Sequence, residues 1–277
     1  MADTDTHQNK KVKKQLIRWC DKYLGKLVLA KAGWKAVKKI FFVIWKTNTA
    51  VYLKMLSITG HDIVPQPDSA ASEGKEIYLT LYDGPGPYTK ELLKILNIYN
   101  IKATFFVTGN GDANIISEIA GAGHSIGNHT YSHKYKTIYK NESAFCADFD
   151  RMEALIAQKA GLRTKLMRFP GGSSNTVSRF NPRIMTRLSD LVQKNGYQYF
   201  DWNVDSDDAG TARLPGTVYK NVISGIKKNN VSVVLLHDVK DYSVIAIKRI
   251  IIWGLKHGYT FLPLNENSPA AHHKINN

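Results

Sequence analysis

From residue 77 onward, short apolar runs alternate with longer stretches in which apolar residues return every three or four positions. The short runs predict strands at 77–81, 103–107, 125–127, 166–169, 197–202, 232–236 and 260–264. The longer stretches predict helices at 89–99, 114–122, 142–160, 182–195, 217–229 and 243–257. In the first helix Leu92, Leu93, Leu96 and Tyr99 form the buried stripe. Strands alternating with helices imply parallel pairing through crossover helices, as a doubly wound sheet or a barrel.

The polar residues favour a barrel. Asp83 follows the first strand, His129 and His133 the third, and Arg168 lies in the fourth. Asp205 follows the fifth strand, and His237 and Asp238 the sixth. Catalytic groups gather at the C-terminal ends of parallel barrel strands, where the loops converge. Asp83, His129 and His133 form a candidate metal set, because two imidazoles and one carboxylate hold a catalytic zinc with a coordination position left open. The four-residue spacing of the histidines is weak by itself. Among nine histidines, two unrelated polar side chains are the alternative.

Composition changes the picture mainly at the N-terminus. The 277 residues carry a net charge of +15, and residues 1–55 hold 13 Lys/Arg against Asp3, Asp5 and Asp21. A basic, mainly helical extension therefore precedes a nearly balanced domain. Leu16, Trp19, Cys20, Tyr23, Leu24 and Leu27 recur at helical spacing with lysines interleaved, as on an anionic membrane surface or against an apolar domain face. Residues 10–58 are the candidate membrane-surface segment, and no clean cleavable signal is visible. Nucleic acid is not an expected partner, since charge alone supports it and no recognition motif does. The boundaries drawn are 1–72 for extension and linker, 73–265 for the main domain and 266–277 for a polar tail. His272 and His273, in that tail, are expected to face solvent. Cys20 and Cys146 make no disulfide framework. Gly84-Pro85-Gly86-Pro87 lacks the P-loop pattern, and Ser173 and Ser174 lack a nucleophile elbow.

Five blocks in order over about residues 77–264 resemble the polysaccharide deacetylases, carbohydrate esterase family 4, the NodB-homology domain. They are Thr80-Leu81-Tyr82-Asp83-Gly84-Pro85, His129-Thr130-Tyr131-Ser132-His133, Arg168-Phe169-Pro170-Gly171-Gly172, Asp205-Ser206-Asp207-Asp208 and Leu235-Leu236-His237-Asp238. The resemblance implies a distorted (β/α) barrel of seven or eight strands. It also implies metal-dependent removal of N-acetyl, sometimes O-acetyl, groups from peptidoglycan, chitin-like or related glycans at the cell envelope or outside the cell. Asp83, His129 and His133 would bind Zn2+ or another divalent transition metal. His237 would be the general acid and Asp205 would orient it. Arg168 would tether the general base. Leu236 would line the acetyl-methyl pocket, with Pro170 and Gly171 beside the substrate. Trp202 would wall the groove or belong to the core.

One block departs from the family. Its first motif reads Thr-Phe-Asp-Asp-Gly, the earlier aspartate being the base, and here Tyr82 stands in that place. A phenol with a pKa near ~10 does not readily accept a proton at neutral pH. The expectation is a deacetylase of reduced activity, with a glycan-binding pseudoenzyme as the alternative. Asp207 and Asp208 are the carboxylates that follow the fifth strand closely enough to substitute.

Overall fold

The computed structural model describes residues 74–277. The basic extension, its membrane-surface segment and Cys20 lie outside the described residues. The elements run β1 (Glu76–Tyr82), α1 (Thr89–Ile98), β2 (Thr104–Val107), α2 (Asn114–Gly121), β3 (Ser125–Asn128), α3 (Tyr135–Ile138), α4 (Glu142–Ala160) and β4 (Leu166–Met167). They continue with α5 (Ile184–Lys194), β5 (Gln198–Tyr199), β6 (Val204–Asp205), α6 (Pro215–Ile226), β7 (Val231–His237), α7 (Asp241–Lys256) and β8 (Thr260–Phe261). Two elements were not expected, the short helix α3 and the two-residue strand β6. The runs predicted at 166–169, 197–202 and 260–264 shrink to two ladder residues each.

All strand pairs are parallel, in the order β5-β4-β3-β2-β1-β7-β6, with β8 beside the start of β1. No ladder joins β5 to β6 among the described residues, although they sit at opposite ends of that order. Five Cα steps separate Tyr199 from Val204 and span at most roughly 17–18 Å. The sheet must therefore curl until its two ends nearly meet. The result is the expected distorted barrel, left open at one seam.

The period-two geometry of β1 sorts its side chains. Ile77, Leu79 and Leu81 face outward, packing in one cluster with Leu92, Leu96, Ile116 and Ile247 from the surrounding helices. Tyr78 and Tyr82 point inward with Phe106, Leu166, Phe200, Val233 and Leu235. Each aliphatic side chain buried in the outer layer contributes about 1.5–3 kcal/mol. A second outer cluster joins Phe145 and Phe149 of α4 to Phe169, Leu188 and Tyr199. Helix α4 occupies its predicted residues because its ends are chemically marked. Asn141 caps the first turn by accepting from the Ala144 amide at 2.8 Å, and Gly161 takes the left-handed conformation after the last turn.

Candidate active site

The polar candidates converge at the C-terminal ends of the strands, around a cavity of about 320 Å³. Asp83 follows β1 with φ 65°, and His133 (φ 53°) and Thr130 (φ 67°) also lie in the left-handed region. Such residues cost on the order of 1–3 kcal/mol each and persist where surrounding structure over-determines them. Here Asp148, on α4, accepts from the Tyr131 and Ser132 amides at 2.7 and 2.9 Å, and Asn128 accepts from the Thr130 amide at 2.8 Å. These two residues hold the loop bearing both histidines, and sequence reasoning missed them.

Asp83 Oδ1 lies 3.5 Å from His129 Nε2 and 3.3 Å from His133 Nε2. One ligand atom from each residue falls within 4.8 Å of the others. His129 Nδ1 contacts the Arg168 carbonyl at 2.8 Å. A carbonyl only accepts, so Nδ1 carries the proton and the Nε2 lone pair faces Asp83. Burial, followed by the neighbouring His129, holds His133 down at about 4, so its imidazole is neutral at neutral pH. Burial would raise Asp83, but the adjacent His129, His133 and His237 imidazoles outweigh it, His129 first, and the carboxyl sits well below its usual range. Asp83 Oδ1 is buried with no hydrogen-bond donor. A buried orphan acceptor between two imidazole lone pairs suits a divalent cation, and the donor set suits zinc.

Across the cavity, His237 Nε2 lies 3.8 Å from Asp83 Oδ2. Its Nδ1 contacts Asp208 Oδ1 at 2.6 Å, and its amide donates to Asp208 Oδ2 at 2.8 Å. Ser243 also donates to that carboxylate, at 2.5 Å. Burial alone would lower the pKa of His237, but the Asp208 hydrogen bond and charge, helped by Asp83, raise it. Asp208 is itself lowered, burial being outweighed by His237.

Asp208, not Asp205, therefore orients His237. Asp205 pairs in register with Leu235, two residues short of His237, and its exposed carboxylate accepts from Trp202 Nε1 at 3.1 Å. Alternation from β6 onward buries Ser206 and Asp208 and turns Asp205 and Asp207 toward the cavity mouth. A strand placed at 204–205 would have revealed this period in the sequence.

Two substrate-contact expectations are also corrected. Leu236 is in the outer core with the helices, while its neighbour Leu235 points inward and lines the cavity. Pro170 is buried away from the cavity, its carbonyl accepting from the Tyr139 hydroxyl at 2.7 Å. Gly171 and Gly172 do line it, as does Trp202, which also packs on the inner cluster. Both readings of Trp202 thus hold. Tyr135 and Lys240 complete the wall and carried no motif signal.

Arg168 tethers no carboxylate. Its guanidinium lies 4.3 Å over the Tyr82 ring and donates to the Phe200 and Asp201 carbonyls and, at 3.1 Å, to Thr80 Oγ1. Complete burial lowers it to about 9, against the opposing charge of Asp201. Proton bookkeeping fixes the phenol. Thr80 spends its hydroxyl proton on the Val234 carbonyl at 2.6 Å, so the 2.9 Å contact with Tyr82 requires Tyr82 to donate. The Tyr82 hydroxyl is committed below the cavity floor, and only its ring approaches His129 and His237, at 5.4 and 5.7 Å between centroids.

The polysaccharide deacetylase family profile matches residues 69–198. A peptidoglycan-N-acetylglucosamine deacetylase of Bacillus cereus is 32% identical over 204 residues, covering 71% of each chain. The chain belongs to the polysaccharide deacetylase family. A chitin deacetylase of Colletotrichum lindemuthianum is 29% identical over 204 residues, or 69% of this chain and 78% of that one. Among solved structures, the catalytic domain of a peptidoglycan N-acetylglucosamine deacetylase from Eubacterium rectale superposes with a TM-score of 0.73 at 48% identity. That match covers 76% of this chain and 98% of the other. As a polysaccharide deacetylase the protein is a hydrolase of amide bonds other than peptide bonds, the carbohydrate esterase expected from its motifs.

Proposed function

We propose that the protein removes N-acetyl groups from N-acetylglucosamine units of a peptidoglycan-type glycan at the cell envelope, in a metal-dependent reaction. The observation that carries this reading is the Asp83, His129 and His133 cluster facing the His237–Asp208 pair across one cavity. The relatives that act on peptidoglycan support the choice of glycan, and O-acetyl groups are the secondary substrate class. Asp83, His129 and His133 would hold a divalent cation, which would supply Lewis acidity toward the acetyl carbonyl and the attacking water.

The chain's own groups do the rest. His237 presents Nε2 to the cavity, and Asp208 keeps the imidazole protonated to higher pH, ready to give its proton to the departing sugar amine. Leu235 and Trp202 supply apolar wall, and Lys240, Asp205 and Asp207 set the polarity of the mouth. No proton acceptor is offered at residue 82. Loss of a positioned base costs on the order of 10²–10⁴ in rate, so the enzyme runs slowly by the standard of the family's aspartate motif. The same observation favours a second reading, a glycan-binding relative without useful turnover.

Acetate release from N-acetylated peptidoglycan, with and without chelator, tests the first reading. Chelator-sensitive acetate release is the expected result. Release that is indifferent to chelator ends the metal-dependent reading. Binding without release, converted to release by Tyr82→Asp, establishes the second.

A further inference from the structure

The C-terminal segment is not a free tail. The Asp201 amide donates to the Ala270 carbonyl at 2.9 Å. His272 stacks on Tyr199 at 3.8 Å between centroids, with Nε2 2.9 Å from the Tyr199 carbonyl. The Asn277 side chain donates to the Ser178 carbonyl at 3.0 Å. The contacts of Ala270 and His272 fall on residues 199–201, at the link between β5 and β6 where no ladder closes the barrel among the described residues, while Asn277 anchors the end of the chain at Ser178. A segment without strand periodicity thus covers the open seam.

His273 makes the contacts nearest the cavity. Its Nε2 lies 2.6 Å from the Trp202 carbonyl, and its amide donates to the buried Asp201 carboxylate at 3.0 Å. Because the carbonyl only accepts, Nε2 carries a proton, while Nδ1 contacts Ser174 Oγ at 3.0 Å. The imidazole meets the Trp202 indole edge-on, with centroids 4.6 Å apart. The indole is further held by Asp205 through Nε1 and by Gly172, where a Cβ would approach the ring to 2.9 Å.

We infer that His273 is a positioning residue: it closes the β5–β6 seam and fixes Trp202 as a stacking platform for a sugar ring entering the cavity. An indole held by backbone, edge and Nε1 contacts loses little freedom when a sugar covers it, so the fixed ring strengthens glycan binding. The glycan half of this inference rests on the function proposed above.

The test combines fluorine NMR of the 5-fluorotryptophan-labelled full chain with chitotetraose binding and acetate-release kinetics. The Trp202 resonance is assigned with Trp202→Phe. His273→Ala is expected to shift or split that resonance and to weaken tetramer binding and raise KM about 3–10-fold, the loss of one hydrogen bond. kcat should stay within about twofold, as expected for a loss of ground-state binding. His273→Gln, which keeps a donor for the Trp202 carbonyl, should restore both readouts. Ser174→Ala should move them less in the same direction, and it serves if His273→Ala fails to fold. An unmoved Trp202 resonance, or a fall in kcat without a rise in KM, overturns the inference. If the wild type neither binds the tetramer nor releases acetate, the functional reading and the platform fall, while the NMR arm still decides whether His273 holds Trp202.

Discussion

The rim and the floor of the cavity differ sharply. At the rim, Asp83, His129, His133 and His237 gather around one cavity, each histidine braced by a partner: the Arg168 carbonyl for His129, the Asp148-held loop for His133, Asp208 for His237. On the floor, Tyr82 fills the place of a carboxylate, and Arg168 covers its ring instead of pairing with a charge. The difference separates two tasks. On the proposed function, holding a cation and storing a proton for the leaving group would belong to the rim, whereas residue 82 on the floor offers no acceptor for a proton from water.

The largest effect should come from breaking the rim. His133→Ala should remove metal, seen by elemental analysis, and lower acetate release by more than ~10³-fold, as loss of a ligand demands. Retained stoichiometric metal in this variant would count against the cluster. Next is Asp208→Asn, expected to lower kcat by roughly 10²–10⁴. The acid must be protonated, so activity falls as pH rises through the His237 pKa. Without Asp208 that pKa drops, and the alkaline limb of the kcat profile should move to lower pH.

On the floor, Tyr82→Asp should raise kcat, by up to ~10²-fold if Arg168 reorients the new carboxylate. It should also lower the melting temperature, because replacing a buried ring leaves a void worth about 3–5 kcal/mol. Equal turnover before and after would mean that the base lies elsewhere. Tyr82→Phe removes only the hydroxyl bonded to Thr80 and should cost about 1 kcal/mol of stability while leaving kcat unchanged. The smallest effect is assigned to Asp205→Asn. It should change kcat less than ~3-fold, in contrast to Asp208→Asn, because Asp205 contacts Trp202 and not the imidazole.

The barrel and the rim were legible because their signals are strong and local. Long periodic helices show where crossovers lie, and Asn141 and Gly161 mark the ends of α4 by chemistry that needs no tertiary context. Strands of two residues carry no period, so β6 went unseen, and with it the alternation that distinguishes Asp208 from Asp205. The resemblance put Leu236 where Leu235 stands, one residue out of step with the alternation of β7. The tail was only partly legible, for another reason. Polar residues without periodicity look solvated, and His272 is exposed as expected, yet it contacts the Tyr199 carbonyl and the half-buried His273 contacts the Trp202 carbonyl beside the open seam.

Gly84 ties the two sides of the rim together. A Cβ there would fall 2.4 Å from the Asp238 carboxylate, which follows His237 directly and accepts from Thr89 at 2.5 Å. The chain just past the metal-side aspartate thus rests on the chain just past the acid, with no space for a methyl group between them. Adding that one carbon would act as a wedge, prising apart two halves that must keep a common spacing around a single acetyl group.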